Sequence, residues 1–200
     1  MTEAVLTPTP NDCDLPRVRA QFATFNDAID YAAQSLKGLN FHDMRGELAR
    51  VYSYAEMRED ALVMARRLIA AGIGKEDRVA LIAETGADFA ALFCACVYVG
   101  AWPVPLPLPT TFGGKESFID QLAVQLMSSD PKILLFPEEI AEMALAAAAR
   151  QGCDAESWQD FAQRPAPDCE LPQARPDDIC YLQYSSGSTR FPTGVAVTHR

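Results

Sequence analysis

Positive charge is what this chain has least of. Against 27 aspartates and glutamates stand 17 lysines and arginines, for a net charge of −10 over 200 residues. No Lys/Arg cluster appears along it. Nucleic acids and anionic membrane surfaces are held by such clusters, so neither is an expected partner. Met1 to Pro16 lacks both a basic start and an apolar core, so it does not read as a secretory signal. It reads as a loose Pro/Thr tail. The six cysteines, at 13, 94, 96, 153, 169 and 180, follow no zinc spacing. With no signal ahead of them they predict reduced thiols and a cytoplasmic protein. Cys94 and Cys96, two apart on a predicted helix, point to different sides, which reads as core packing rather than metal binding. No metal-ligating set is assigned, and there is no internal repeat.

Three familiar motifs are also missing. Gly187 and Gly194 are too far apart for a Walker-type loop, and Val195 rather than Lys follows the second. No G-x-S-x-G surrounds Ser186 or Ser188. Gly72-Ile73-Gly74 lacks the third glycine of a dinucleotide fingerprint. The run from Phe89 to Pro109 is apolar over about twenty residues, the length of a membrane span. Prolines at 103, 105, 107 and 109 argue against that reading. They lack N–H groups on one side of an extended chain, leaving Val104, Leu106 and Leu108 to pair with at most one neighbour. This reads as a helix, a turn and a proline-rich edge or lining segment of a soluble chain.

What is present alternates. Apolar spacing predicts a helix from Thr24 to Leu36, with Phe25, Ile29, Ala32, Ala33 and Leu36 on one face, and a short strand from Leu48 to Tyr52. Ser53-x-x-Glu56 forms a capping box opening a helix whose Met57, Ala61, Met64/Ala65 and Leu68 repeat until Gly72. Arg78 to Ala83 reads as a buried strand, and Thr85-x-x-Asp88 caps an apolar helix through Val99. Ser117-x-x-Asp120 opens another helix containing Leu122, Val124 and Leu126. Lys132 to Phe136 is a strand, and Glu138 to Arg150 an alanine-rich helix. With 49% hydrophobic residues a sizeable core is available. The alternation predicts an α/β layered fold: a largely parallel β-sheet flanked by helices. The expected organisation is a tail over 1–20, an α/β subdomain over 21–163, a Pro-rich linker over 164–177 and the start of a further subdomain over 178–200.

That last part carries the strongest signal. The apolar run Ile179 to Tyr184 reads as a buried strand. It empties into Ser185-Ser186-Gly187-Ser188-Thr189-Arg190-Phe191-Pro192-Thr193-Gly194, and a second β-rich run, Val195-Ala196-Val197-Thr198, follows. Glycine lets backbone N–H groups turn inward as an anion nest, and clustered hydroxyls add donors. Arg190 offers a charge-assisted contact to phosphate. From the residues alone, an anion-binding loop and a polar hairpin turn both remain open.

Tyr184-Ser-Ser-Gly-Ser-Thr-Arg-Phe-Pro-Thr-Gly-Val195 followed by Val197-Thr198-His199 resembles the ATP-phosphate loop of the adenylate-forming superfamily of acyl-CoA synthetases, peptide-synthetase adenylation domains and luciferases. Its usual form reads Ser-Gly-Ser-Thr-Gly-x-Pro-Lys-Gly. Arg190 in place of the central glycine, with Leu182-Gln183-Tyr184 in front, resembles the fatty-acyl-AMP ligase branch. So do Pro103-Val-Pro-Leu-Pro-Leu-Pro109, Phe112-Gly-Gly-Lys115 and Gln121-Leu122. The likeness covers roughly Phe22 to Arg200, about the first third of such an enzyme. It departs at Thr193, where the usual residue is lysine.

The resemblance implies ATP and Mg²⁺ as cofactors, a fatty acid as substrate, and acyl transfer to the phosphopantetheine thiol of an acyl carrier protein. A carboxylate would attack the α-phosphorus of ATP in line, releasing pyrophosphate. Ser185, Ser186, Ser188 and Thr189 would donate hydroxyls, Gly187 would bring the backbone close, Gly194 would permit the turn into the next strand, and Arg190 would pair with phosphate. The adenine segment, the ribose-binding Thr-Gly-Asp and the mobile domain with the catalytic lysine are not in this sequence. No catalytic residue is therefore assigned here, and the 200 residues alone are expected to be inactive. A long-chain acyl-CoA synthetase, and a non-catalytic nucleotide-binding or scaffold domain, are the rival readings. Fatty-acid chain length is not legible. Elsewhere, His199 reads as a helix-start or packing residue and His42 as part of the surface turn Asn40-Phe41-His42-Asp43. Asp77-Arg78 and Asp177-Asp178 read as turn acids or cap donors rather than magnesium ligands, and Trp102 as core.

Overall fold

The computed structural model describes residues 15–16, 18, 21–109, 114–185 and 193–200. Helix α1 (Phe25–Ala32) opens at Thr24, whose hydroxyl accepts the Asp27 N–H while the Asp27 carboxylate accepts the Thr24 N–H. That reciprocal cap satisfies two donors that a helix start otherwise orphans. The helix stops short of the expected Leu36, which is 88% exposed. The expected turn at Asn40–Asp43 is instead mostly strand. β1 (Gly38–His42) pairs antiparallel with β2 (Leu48–Ser53), Leu39 opposite Tyr52 and Phe41 opposite Arg50. Alternate burial of Leu39 and Phe41 selects the extended form. The turn itself is closed by Asp43, which accepts from the N–H groups of Arg45 and Glu47.

Helix α2 (Tyr54–Ala70) begins at the Ser53/Glu56 capping box and buries Met57, Ala61, Ala65 and Leu68, the face that helical spacing predicts. β3 (Arg78–Ile82) follows, then α3 (Ala87–Val99), which is apolar nearly all round because it lies between the sheet, α1 and α2. The expected Thr85/Asp88 cap is absent: Gly86, in an extended conformation, holds the N-cap position with no side-chain bond. Gly100 ends α3 at φ 73°, a left-handed position that suits a residue without a Cβ.

β4 (Trp102–Leu106) is an edge strand, and its prolines explain why. The Trp102 N–H donates to the Asp77 carbonyl and the Leu106 carbonyl accepts from Ala83, so residues 102, 104 and 106 face β3. Pro103 and Pro105 therefore turn their missing donors to the outer edge, where no ladder can form. Helix α4 (Gly114–Ser129) starts ahead of the expected Ser117 cap, and Asp120 pairs with Arg150 instead of capping. β5 (Ile133–Phe136) leads through a 3₁₀ turn at Glu138–Ile140 into α5 (Ala141–Gln151), splitting the single helix expected from Glu138. β6 (Asp154–Ser157) and α6 (Trp158–Phe161) are additions that the sequence reading did not contain. After an irregular stretch come β7 (Ile179–Ser185) and β8 (Thr193–Thr198).

The central sheet is parallel, in the order β4-β3-β5-β6. Val79, Leu81, Ile133 and Leu135 face α2, α3 and α6, whereas Ala80, Ile82, Leu134 and Phe136 face α4 and α5. Period-two alternation with both faces buried is the signature of a parallel sheet between helical layers. Leu81, fully buried, would cost about 2–5 kcal/mol on truncation to alanine. The α/β layered fold is thus as expected, with two antiparallel hairpins, β1–β2 and β7–β8, added to the parallel sheet. Among the described residues no helix is long and apolar enough to cross a membrane.

Candidate phosphate-loop site

The two strands that bracket the hydroxyl-rich loop pair antiparallel, with Tyr184 opposite Gly194 and Ser185 opposite Thr193. The loop therefore leaves and re-enters the same ladder, and its two ends are held at neighbouring positions. Of the predicted phosphate-binding residues, Ser185 and Gly194 are placed by this ladder. Ser186, Gly187, Ser188, Thr189 and Arg190 lie outside the described residues. Gly194 is there for space: a Cβ on it would stand 3.2 Å from Cζ of Tyr184.

Sequence reasoning missed what anchors the ladder. The Tyr184 hydroxyl donates to Oγ of Ser128 near the end of α4, at 3.1 Å. Leu182 and Tyr184 pack on the α4–α5 side of the core. Tyr181 instead sets its ring edge-on to Phe93 of α3, centroids 5.6 Å apart. β7 thus crosses beside the proline edge of β4, from the α3 layer to the α4 layer, filling the place where no strand can pair. The only local signal was the aromatic residue directly ahead of the serines.

The other end of the hairpin is tied by charge. The Asp178 carboxylate pairs with Lys75 Nζ at 2.9 Å and accepts the Arg175 N–H, and Lys75 first holds its pKa below the usual range. Asp177 pairs with Arg200. Asp77 is likewise paired, with Lys132 at 2.8 Å, and accepts the Gly74 N–H. Both acid pairs are ion-paired turn residues. His199 accepts a hydrogen bond from the Phe25 N–H through Nδ1, at 3.1 Å, so it serves a helix start, though of a helix far back in the chain. His42 sits at the end of β1, its Nδ1 3.2 Å from the Gly46 carbonyl. Trp102 is partly buried at the head of β4.

Cys94 and Cys96 are buried, as are their thiols' prospects of reactivity: burial pushes Cys94 up to about 12 and Cys180 up to about 11. Among the described residues no group of His, Cys, Asp and Glu is arranged to hold a metal ion. Two concavities lie among the described residues. A polar one of about 650 Å³ is lined by Lys132, Asp154, Glu156 and Arg164. An apolar one of about 500 Å³ lies between α1, α2 and α3, with Phe25 and Phe93 on its wall.

A three-layer α/β unit with an antiparallel ladder at its proline-sealed edge, whose strands flank the serine-glycine stretch in sequence, is the fold of adenylate-forming enzymes. Residues 32–200 match the family described as AMP-binding enzyme, and the chain belongs to that family. It is 42% identical over 200 residues to a Caulobacter vibrioides protein provisionally named an acyl-CoA synthetase, covering 99% of this chain and 34% of that one. It is 30% identical over 156 residues to a long-chain-fatty-acid–AMP ligase of Mycobacterium marinum, covering 76% of this chain and 26% of the other. A solved structure from a study of fatty acyl-adenylate ligases of E. coli and L. pneumophila superposes with TM-score 0.88 at 40% identity, over 92% of this chain and 34% of that one. The fatty-acyl-AMP ligase resemblance read from Arg190 and the proline run is borne out at this level. The chain spans between about a quarter and a third of the length of these relatives.

Proposed function

We propose that this chain supplies the ATP-phosphate grip of a fatty-acyl-AMP ligase, which joins a fatty carboxylate to AMP and passes the acyl group to the phosphopantetheine thiol of an acyl carrier protein. The observation that carries the reading is the ladder that closes on the motif, with Ser185 paired to Thr193 and Gly194 held against Tyr184. Ser185, Ser186, Ser188 and Thr189 would hold phosphate oxygens, Gly187 would admit the backbone, and Arg190 would add a charge-assisted contact. ATP with Mg²⁺ supplies the activated phosphorus. These residues orient it and neutralise charge developing on the departing pyrophosphate. The reading keeps 1–20 as a tail, 21–163 as one subdomain, 164–177 as a linker and 178–200 as the opening of the next. It places the protein in the cytoplasm and the catalytic lysine outside these 200 residues.

The test is adenylate formation from dodecanoate, Mg²⁺ and α-labelled ATP, with acyl-AMP resolved from AMP. It is run on this chain and on a chain extended to the length of its relatives. Acyl-AMP from the extended chain alone is the expected result; none from either sinks the proposal. The Caulobacter relative favours a second reading, acyl transfer to coenzyme A. Acyl-thioester formed with holo-carrier protein but not with coenzyme A decides for the first.

A further inference from the structure

We propose that His199 is a positioning residue for the phosphate loop: its neutral ring fastens the end of β8 to the start of α1, and protonation of that ring lets go. The inference rests on the reading of residues 185–194 as that loop. It starts from an accounting of donors. A helix start leaves its first N–H groups without intrahelical partners. In α1 the Thr24 hydroxyl takes the Asp27 N–H, and the Phe25 N–H goes to His199 Nδ1, 174 residues away in sequence. A ring nitrogen that accepts carries no proton, so the bound tautomer is neutral with its hydrogen on Nε2.

The ring is partly buried. The backbone N–H of His199 donates to the Asp178 carbonyl at 3.2 Å, which fixes the residue's main chain. The charges facing the ring are Asp27 from α1 and Asp178 from the turn before β7. Asp178 is already committed to Lys75, and the neighbouring Arg200 to Asp177. Burial holds the His199 pKa below its ordinary 6.5, against the pull of those two carboxylates. A proton on Nδ1 would point one donor at another and place positive charge at the positive end of a helix. The bond to Phe25 cannot survive it. β8 runs from Thr193, opposite Ser185, to Thr198, so it is pinned at the loop end by Tyr184 and at the far end by His199. Releasing the far end loosens the strand on which the loop closes.

The direction follows from linkage. The folded state favours the neutral ring, so the unfolded state binds more protons between the lowered folded value and 6.5. The latch is complete above 6.5, weakens as pH falls through the window below it, and has nothing further to lose beneath the folded value.

Amide exchange followed by NMR between pH 5 and 8, corrected for intrinsic rates, reads the latch at Phe25 and along β8. Wild type is expected to lose about fivefold protection at Phe25 from pH 8 to pH 5, the worth of one hydrogen bond. H199N, whose amide oxygen accepts but does not titrate, should stay protected throughout, and H199F should be low at both ends. A flat wild-type profile, or an H199N profile that falls with the wild type's, overturns the latch. Pyrophosphate then reads the loop. Its binding should weaken toward pH 5 more in wild type than in H199N; equal weakening, with the latch profile intact, overturns the positioning role. If pyrophosphate moves no resonance between 185 and 194, it is the phosphate-loop reading that fails and not the latch.

Discussion

Tyr184 and Gly194 face each other across the β7–β8 ladder so closely that a single methyl on Gly194 would come within 3.2 Å of the tyrosine ring. The ring is not free to yield, because its hydroxyl is bonded to Ser128 and its body lies on the α4–α5 core. G194A should therefore break the Ser128 bond and cost about 1 kcal/mol. The check is a denaturant midpoint measured for G194A in wild-type and S128A backgrounds. A clearly smaller cost in S128A is expected, and an identical cost in both would show that the methyl does not act through that bond.

Asp30 joins three helices. Its Oδ1 accepts from Arg58 Nε of α2 and from the Tyr98 hydroxyl of α3, each at 2.6 Å, while Asp30 itself lies on α1. Both charged partners are more than a third exposed, so the pair is worth little as an ion pair alone. D30N keeps the shape and one acceptor but removes the charge, and should cost about 1 kcal/mol. Y98F should cost a comparable amount, and D30N on top of Y98F little more. Chemical denaturation of the cycle measures this, and strict additivity would refute the shared junction.

Asp178 gives the hairpin an acid limit. Its pKa is held below the ordinary 3.8, first by the hydrogen bond from Lys75. A depressed carboxylate adds stability above its unfolded value, and that addition is lost as pH falls through the folded one. Wild type should exceed D178N in thermal midpoint at pH 6, and the gap should close as pH is lowered beneath 3.8. K75M should show the same loss at pH 6 and no pH dependence of its own in that window. A gap that widens on acidification would reverse the assignment.

The layered fold was legible because its causes are local. Alternating apolar residues in Arg78–Ile82 and the reciprocal cap of Ser53 and Glu56 act within a few residues. The same kind of cap at Thr85 failed because Gly86 extends the backbone and starts α3 one residue later. β6 escaped notice because Asp154-Ala155-Glu156-Ser157 carries no apolar pattern; register with β5 makes it a strand. At the site, the motif pointed to Ser185 and Gly194, and the ladder holds both. The contacts that steady them, Tyr184 to Ser128 and His199 to Phe25, join residues 56 and 174 apart. No local pattern in a sequence carries pairings of that reach.

Thr193 stands where the usual motif has lysine, and it pairs with Ser185 at the very closure of the loop. A cation at that position would stand at the mouth of the proposed phosphate grip, where a charged hydrogen bond is worth more than a neutral one. In a chain extended to the length of its relatives, T193K should lower KM for MgATP about tenfold while leaving the KM for fatty acid in place. R190G, which restores the other usual residue, should do the opposite if Arg190 supplies the charge that Thr193 lacks. Together the two changes should return KM near its starting value. Steady-state kinetics of the two single variants and the double variant decide it. A T193K enzyme with unchanged KM for MgATP would mean that a side chain at 193 does not reach the phosphates, and an R190G enzyme with unchanged KM would mean that Arg190 does not supply the charge.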